Sequence, residues 1–264
     1  FVEDRRSIKI MDLATRSTVT LLTPEELYHM RDGDKYFTWS PDSKWLLINW
    51  GASLSNGEVL LLSADGQQKR NLTQSGYYDS YPKWVNDGKQ MIWFSNRNGL
   101  KSYATSGRSQ SDVYTMFFEQ DAWDKFNMSK EDYDLMKEIE KLDEEDEKEQ
   151  EESKKGKKKG GDDKKEKEVK SLTFDWDNLE ERKARLTIHS SSLGDAVLSK
   201  DGEELYYLAR FEKGYNLWKT ELRTKKTSQL ISLNANGGSL MWDDDEETLY
   251  LLSGGKISKV DIKG

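Results

Sequence analysis

The chain has 264 residues, with 41 basic and 49 acidic side chains and a formal net charge of −8. This acidic balance disfavours general nucleic-acid binding, which needs a concentrated basic surface. The absence of cysteine excludes disulfides, thiolate zinc sites and cysteine nucleophiles, and no apolar run approaches the roughly 20 residues of a membrane-spanning helix.

Short strands joined by tight turns dominate the first part of the chain. Residues 1–23 contain two alternating runs, Ser7–Leu13 and Ser17–Leu22, which we interpret as the outer strands of an incomplete blade. Residues 36–73 then predict a complete four-stranded unit. Its strands are Tyr36–Trp39, Trp45–Trp50, Glu58–Ser63 and Lys69–Thr73.

The turn inside this unit recurs along the chain. Aligned turn aspartates stand at Asp42, Asp87, Asp201 and Asp245, separated by 45, 114 and 44 residues. Trp39, Trp84, Leu198 and Trp242 precede them by three residues, and an apolar strand follows each turn. A period near 45 built of short strands is typical of β-propeller blades. The fold class predicted is therefore all-β, a partial β-propeller of four-stranded antiparallel blades.

The long interval indicates that one blade carries an insertion. Residues 80–118 with 183–187 predict this blade, and residues 119–182 the insertion. Residues 129–142 predict a helix, because Leu135, Ile139 and Leu142 fall on one face. We expect that face to pack on the outer rim or on a neighbouring subunit.

The middle of the insertion, residues 143–170, is charged and of low complexity. With almost no apolar residues it is expected to be a disordered or poorly ordered loop. Its lysine-rich block, Lys154–Lys159, follows an acidic block that neutralises much of its field. We favour a solvated loop over a nucleic-acid or anionic-surface contact. Residues 194–232 and 238–263 predict a further blade and an incomplete one.

Candidates for chemistry are few. The two histidines, His29 and His189, lie far apart in sequence, and the serines Ser190–Ser192 lack the Gly-x-Ser-x-Gly frame of a nucleophile elbow. Asp243-Asp244-Asp245 is better explained as a turn than as a metal site. No phosphate-binding glycine loop occurs. We therefore predict no catalytic, cofactor or metal residues, and expect the aromatic residues to pack between blades rather than to form a carbohydrate-stacking surface.

Several of these stretches resemble a known family. Trp39-Ser-Pro-Asp42, Trp84-Val-Asn-Asp-Gly-Lys89 and Phe94-Ser-Asn-Arg-Asn-Gly99 resemble the repeats of TolB-like, WD40-like and tricorn-like propellers. The segment 174–187 leads from the insertion back into the sheet and contains Asp175, Asp177, Leu179 and Arg182. It is similar to the corresponding segment of tricorn-type serine peptidases that have a long charged insertion. The resemblance implies a parent peptidase with propeller domains, a PDZ domain and a catalytic core. No residue here matches the family's catalytic motifs.

The function expected from this resemblance is a non-catalytic propeller segment that scaffolds the peptidase and gates or guides peptide substrates. The implied partners are peptides or unfolded proteins and the remaining domains of the parent chain, with a homo-oligomer possible and no nucleic acid. Two alternatives stay open, a TolB-like protein-binding module and the propeller of a prolyl-oligopeptidase-type hydrolase. The periplasm is favoured over the cytoplasm, although residues 1–6 lack the form of a signal peptide.

Overall fold

The structure is a computed structural model that describes residues 1–4, 7–27, 35–53, 56–102, 108–155 and 170–262, with the backbone alone over 52–53 and 144–155. Five antiparallel sheets follow one another along the chain, and within each sheet neighbouring strands are consecutive in sequence. We name these sheets blades I to V. No described helix is both long enough and apolar enough to span a membrane.

The strands fall into blades as follows. Blade I contains β1 (Val2–Glu3), β2 (Ser7–Met11) and β3 (Thr18–Leu22). Blade II contains β4 (Phe37–Trp39), β5 (Trp45–Ser53), β6 (Asn56–Ser63) and β7 (Lys69–Asn71). Blade III contains β8 (Asp79–Val85), β9 (Gln90–Ser95), β10 (Asp112–Phe117) and β11 (Lys183–Arg185). Blade IV contains β12 (Ser192–Leu198), β13 (Glu204–Arg210), β14 (Tyr215–Glu221) and β15 (Lys226–Ala235). Blade V contains β16 (Ser239–Trp242), β17 (Leu249–Ser253) and β18 (Lys256–Val260).

Helical segments lie mainly between β10 and β11. They are α1 (Gln120–Asn127) and α2 (Lys130–Lys155), with short 3₁₀ turns at Pro24–Glu26, Asn86–Gly88 and Leu179–Glu181. Blade I has one strand more than the two predicted, because Val2–Glu3 pairs with β2.

Each pair of adjacent blades shares an apolar core, and one strand can contribute side chains to two of these cores. In β5, Leu47 faces blade III, whereas Leu46 and Ile48 face blade I. This follows from the alternation of side chains across a strand, and it explains why the second strands of the blades are continuously apolar. Four such cores join blades I to V. The all-β fold class and the partial propeller predicted from the repeat are confirmed.

The repeated turns share one backbone feature. The residue after each aligned aspartate has a positive φ: Ser43 at 57°, Gly88 at 86°, Gly202 at 72° and Glu246 at 55°. The turns therefore keep their left-handed residue even where glycine is replaced. Asp42 and Asp201 each accept a hydrogen bond inside the turn, from the amides of Lys44 and Glu203. In blade V, however, Asp243 takes this role instead of Asp245, accepting from the amides of Glu247 and Thr248.

Helix α1 packs on Phe117 of blade III and α2 packs on blade IV, but not through the predicted face. Leu135, Ile139 and Leu142 are 57%, 50% and 61% exposed, so the predicted contact with the rim is wrong. Tyr133 is buried instead, with the Arg223 guanidinium 3.9 Å from its ring centroid. Arg223 also donates to the main-chain oxygen of Met128 at 2.5 Å. This bond fixes the junction between α1 and α2 and turns the Tyr133 side of α2 toward the blade.

The first part of the low-complexity region is helical. Helix α2 continues through the acidic block to Lys155, so the expectation of disorder is wrong for residues 143–155. Glutamate and lysine have high helix propensity. The sequence also places Glu144 four residues before Lys148, a spacing that favours helix. Residues 156–169, with most of the lysine-rich block, lie outside the described residues.

Candidate functional site on the inner strands

The serines near His189 take part in hydrogen bonds and strand pairing that stabilise the fold. The Ser190 hydroxyl donates to the buried Asp112 carboxylate at 2.7 Å, and that carboxylate also accepts from Arg185 and Thr187. Ser191 is buried and pairs with Ser111 through the main chain. Among the described residues, no hydrogen bond joins His189 to these serines, and its ring is exposed. His29 lies outside the described residues.

The segment that carries the family resemblance forms an internal clamp. Arg182 is only 3% exposed. Its guanidinium donates to the main-chain oxygens of residues 117, 118, 175 and 177 and to the side-chain oxygen of Gln120. The Asp175 carboxylate in turn accepts from the Gln120 amide at 2.7 Å, at the first residue of α1. These contacts hold the two ends of the insertion together. The segment 174–187 therefore has a positioning role in this chain.

Many tryptophans lie between blades, as expected. The Trp84 indole donates to the main-chain oxygen of Thr38 in the preceding blade at 3.2 Å. Trp242 donates in the same way to Leu198 at 2.6 Å. Trp93 is fully buried and donates to Asp79 at 3.1 Å. In blades III and V, the repeated tryptophan therefore ties each inner strand to the blade before it.

A group of tyrosines departs from this pattern. Tyr77, Tyr78 and Tyr81 are 41%, 53% and 52% exposed, at the entry to β8 and on that strand. Tyr36, next to β4, packs edge-on against Tyr81 with the ring centroids 5.4 Å apart and the planes at 70°. Phe37, on β4, is also exposed. We call these five residues the tyrosine surface.

The backbone at Tyr81 is shaped to present its ring. Tyr81 has a φ of 54°, which is rare for a bulky residue, and the pairing of β8 with β9 shifts between Ser80 and Lys83. The Tyr81 amide is held by the Asn49 side-chain oxygen at 2.7 Å. A strained backbone conformation persists only where the surrounding structure holds it. Such conformations are found most often at functional sites. This observation selects the tyrosine surface as the candidate site.

The backbone of Gly57 approaches Tyr78 closely. A Cβ atom on Gly57 would lie 3.0 Å from the Tyr78 ring and 3.1 Å from the main-chain oxygen of Asp79, so a side chain there would have to displace the ring slightly. Partial burial, with Tyr81 nearby, raises the pKa of Tyr78 above its usual value. Burial also raises the pKa of Tyr36. Both hydroxyls therefore remain protonated at neutral pH and can donate hydrogen bonds.

A cation lies at the edge of the tyrosine surface. The Lys101 ammonium lies 5.1 Å from the Tyr77 ring centroid and donates to the main-chain oxygen of Arg97 at 3.0 Å. Sequence reasoning assigned the aromatic residues to packing and missed this surface. The available signal was the density of tyrosine in Tyr77-Tyr78-Asp79-Ser80-Tyr81, directly before an inner strand.

The fold and its repeated interfaces define the chain as part of a β-propeller, and solved structures agree. It resembles the tricorn protease with a TM-score of 0.58 and 13% identity, over 98% of this chain and 24% of that one. A puromycin-hydrolyzing peptidase of Mycobacterium tuberculosis gives a TM-score of 0.56 at 10% identity, over 98% and 34%. TolB from Acinetobacter baumannii gives 0.46 at 18%, over 96% and 47%.

These similarities concern the fold alone. The chain spans between 24% and 47% of the length of these three structures. The resemblance to tricorn-like propellers stated from the sequence is confirmed at the level of the fold. No protein-family model and no curated protein sequence matches the chain.

Proposed function

We propose that this chain is a non-catalytic β-propeller segment of a tricorn-like serine peptidase. In that role it scaffolds a larger propeller and guides peptide substrates toward a catalytic core outside this chain. The resemblance of the segment 174–187 supports the peptidase parent, and the fold of the tricorn protease agrees with it. One structural observation carries the scaffold role, namely the apolar outer face of blade V.

This face repeats the buried face of blade IV position by position. On blade IV, Val197, Tyr206, Leu208 and Leu217 pack against blade V and are at most 8% exposed. The corresponding residues of blade V in the repeat are Met241, Tyr250, Leu252 and Ile257. Of these, Met241, Leu252 and Ile257 are 68%, 47% and 75% exposed, and Tyr250 is partly exposed.

An exposed apolar sheet face of this size is characteristic of an interaction surface. Burying one such side chain stabilises an assembly by about 1.5–3 kcal/mol. Because the register matches the three interfaces of blades II to V, the partner that fits this face is a further blade of the same repeat. A scaffold segment of a larger propeller meets this requirement directly.

Cysteine labelling tests the proposal cleanly because the chain contains no cysteine. Ile257→Cys is expected to react rapidly with a maleimide in the 264-residue chain. In the complete polypeptide that its gene encodes, the same thiol should react at least about tenfold more slowly, since burial removes access to reagent. Asp244→Cys, in the exposed turn between β16 and β17, is the matched control and should react equally in both.

Equal labelling of Ile257→Cys in both proteins would overturn the scaffold role, and so would a gene without a peptidase core. The purified chain should hydrolyse no peptide. Turnover that persists after mutation of His189 and Ser190–Ser192 would show that a catalytic site exists elsewhere in it.

A further inference from the structure

We propose that the exposed apolar face of helix α2 docks a basic amphipathic helix of a partner protein. The face consists of Leu135, Ile139 and Leu142, which are 57%, 50% and 61% exposed. We call these three residues the α2 stripe. The interaction goes beyond the scaffold role, because it concerns the insertion and not the outer face of blade V.

The α2 stripe lies on the side of the helix that blade IV does not cover. Its members recur at intervals of four and three residues, so they are neighbours along two turns of the helix. Tyr133 stands two residues before Leu135, roughly 200° around the helix axis. That tyrosine is buried against Arg223 of blade IV. Blade IV therefore holds one side of α2 in place and leaves the stripe exposed on the other side.

The charged residues that border the α2 stripe are acidic. Glu131 and Glu138 each stand four residues before a member of the stripe, and Asp143 stands four residues after another. Residues at this spacing are neighbours on a helix surface, so carboxylates border the stripe on both of its long sides. All three of these acidic residues are exposed.

The lysines among the described side chains of α2 occupy the opposite side. Lys137 stands two residues from both Leu135 and Ile139. Its ammonium contacts the Asp201 carboxylate at 3.4 Å and lies 4.8 Å from the Tyr133 ring centroid. Lys130 and Lys141 share the side of Lys137, seven residues before it and four after it. The surroundings of the stripe are therefore negative, and a partner with lysine or arginine beside its apolar residues is complementary to them.

Other occupants meet only one of the two requirements. A second copy of α2 has apolar residues but would bring carboxylates opposite carboxylates, which disfavours the contact. The lysine-rich stretch 154–170 has the complementary charge, but its single apolar residue, Val169, cannot cover three apolar side chains. An amphipathic helix that carries basic residues beside its apolar residues meets both requirements. The stripe is roughly 10 Å long, which matches two turns of such a helix packed alongside.

The test is fluorescence anisotropy of the 264-residue chain with labelled peptides of about 21 residues, equal to three heptads. The basic peptide has leucine at positions a and d and lysine at positions e and g. The acidic peptide has glutamate in place of those lysines, and the polar peptide has serine in place of the leucines. The basic peptide should bind at least about tenfold more tightly than either control. Added salt should weaken its binding, because it screens exposed charges.

The variant Leu135→Gln with Ile139→Gln should weaken binding of the basic peptide at least about tenfold, since it removes apolar contacts from the stripe. Glutamine has a high helix propensity, so α2 should keep its fold. Unchanged hydrogen exchange in residues 130–142 checks this expectation. Leu13→Gln is the matched control. That leucine is 86% exposed between β2 and β3, and its variant should bind like the parent chain.

Reversing the charge beside the stripe provides a second variant that leaves its apolar residues in place. Glu138→Lys with Asp143→Lys should weaken binding of the basic peptide at least about tenfold and strengthen binding of the acidic peptide. The inference is overturned if the basic peptide does not bind, if a control peptide binds equally well, or if either double variant keeps the parent affinity. A dimer of the chain alone that dissociates in Leu135→Gln with Ile139→Gln would also overturn it, because a second copy would then occupy the stripe.

Discussion

Replacing the buried arginine of the clamp should be among the most destabilising single changes in this chain. Arg182→Met keeps the length and apolar stem of the side chain but removes donors to four main-chain oxygens and the Gln120 amide oxygen. A buried acceptor left without a donor costs about 1–3 kcal/mol, and more where the lost donor was charged. Because water can reach the outer acceptors, we expect a total loss of about 3–5 kcal/mol, comparable to breaking a buried ion pair.

Urea denaturation followed by tryptophan fluorescence measures this loss as a shift of the midpoint at unchanged slope. Arg182→Lys should be intermediate, since an ammonium cannot reproduce the fork of donors. Arg70→Met is the control. That arginine is exposed and stacks on Trp176 at 4.1 Å, a contact worth about 0.5–1 kcal/mol. If Arg182→Met costs no more than Arg70→Met, the clamp does not hold the insertion and the reasoning fails.

Three further predictions concern separate contacts. Trp84→Phe and Trp242→Phe should each cost about 1 kcal/mol in the same urea assay, because each removes one hydrogen bond between blades. Although burial raises the pKa of Asp42, hydrogen bonds, chiefly from the Leu172 amide, hold it below 3.8. The ionised form therefore stabilises the fold above that pH and the contribution is lost as pH falls through the lower folded value, so Asp42→Asn should flatten the acid limb of a stability–pH curve. Arg223→Ala should increase hydrogen exchange in residues 120–142 while leaving β13 protected, and unchanged exchange there would contradict the docking contact.

The repeat made the fold predictable because the same physical problem is solved in each blade. The second strand of a blade must bury both faces, which produces continuous apolar runs, and the turn before it must reverse the chain at a left-handed residue. The positive φ values at Ser43 and Glu246 show that the turn is maintained without glycine. The role of Asp243 could not be assigned from spacing alone, since Asp243, Asp244 and Asp245 are chemically equivalent in sequence.

The packing of the insertion was not predictable from its apolar pattern. Leu135, Ile139 and Leu142 form the obvious helical stripe, yet the buried face is chosen by Tyr133 and a distant arginine. Arg223 comes from blade IV, 90 residues after Tyr133, and no local pattern relates the two. A tertiary contact of this kind overrides the local hydrophobic stripe, as the exposure of the three apolar residues shows.

The repeat also explains why the tyrosine surface was missed and why it matters. In a propeller, each blade supplies a reference for its neighbours, so a residue that departs from the shared geometry identifies a local requirement. The position of Tyr81 corresponds to Tyr36 in blade II, three residues before the repeated tryptophan, but only Tyr81 combines an exposed ring with a positive φ. The Tyr81 ring packs edge-on against Tyr36 of blade II and lies next to Phe94 of its own blade. The positive φ at Tyr81 therefore belongs to a ring position that blade II does not repeat, half exposed beside the inner strands.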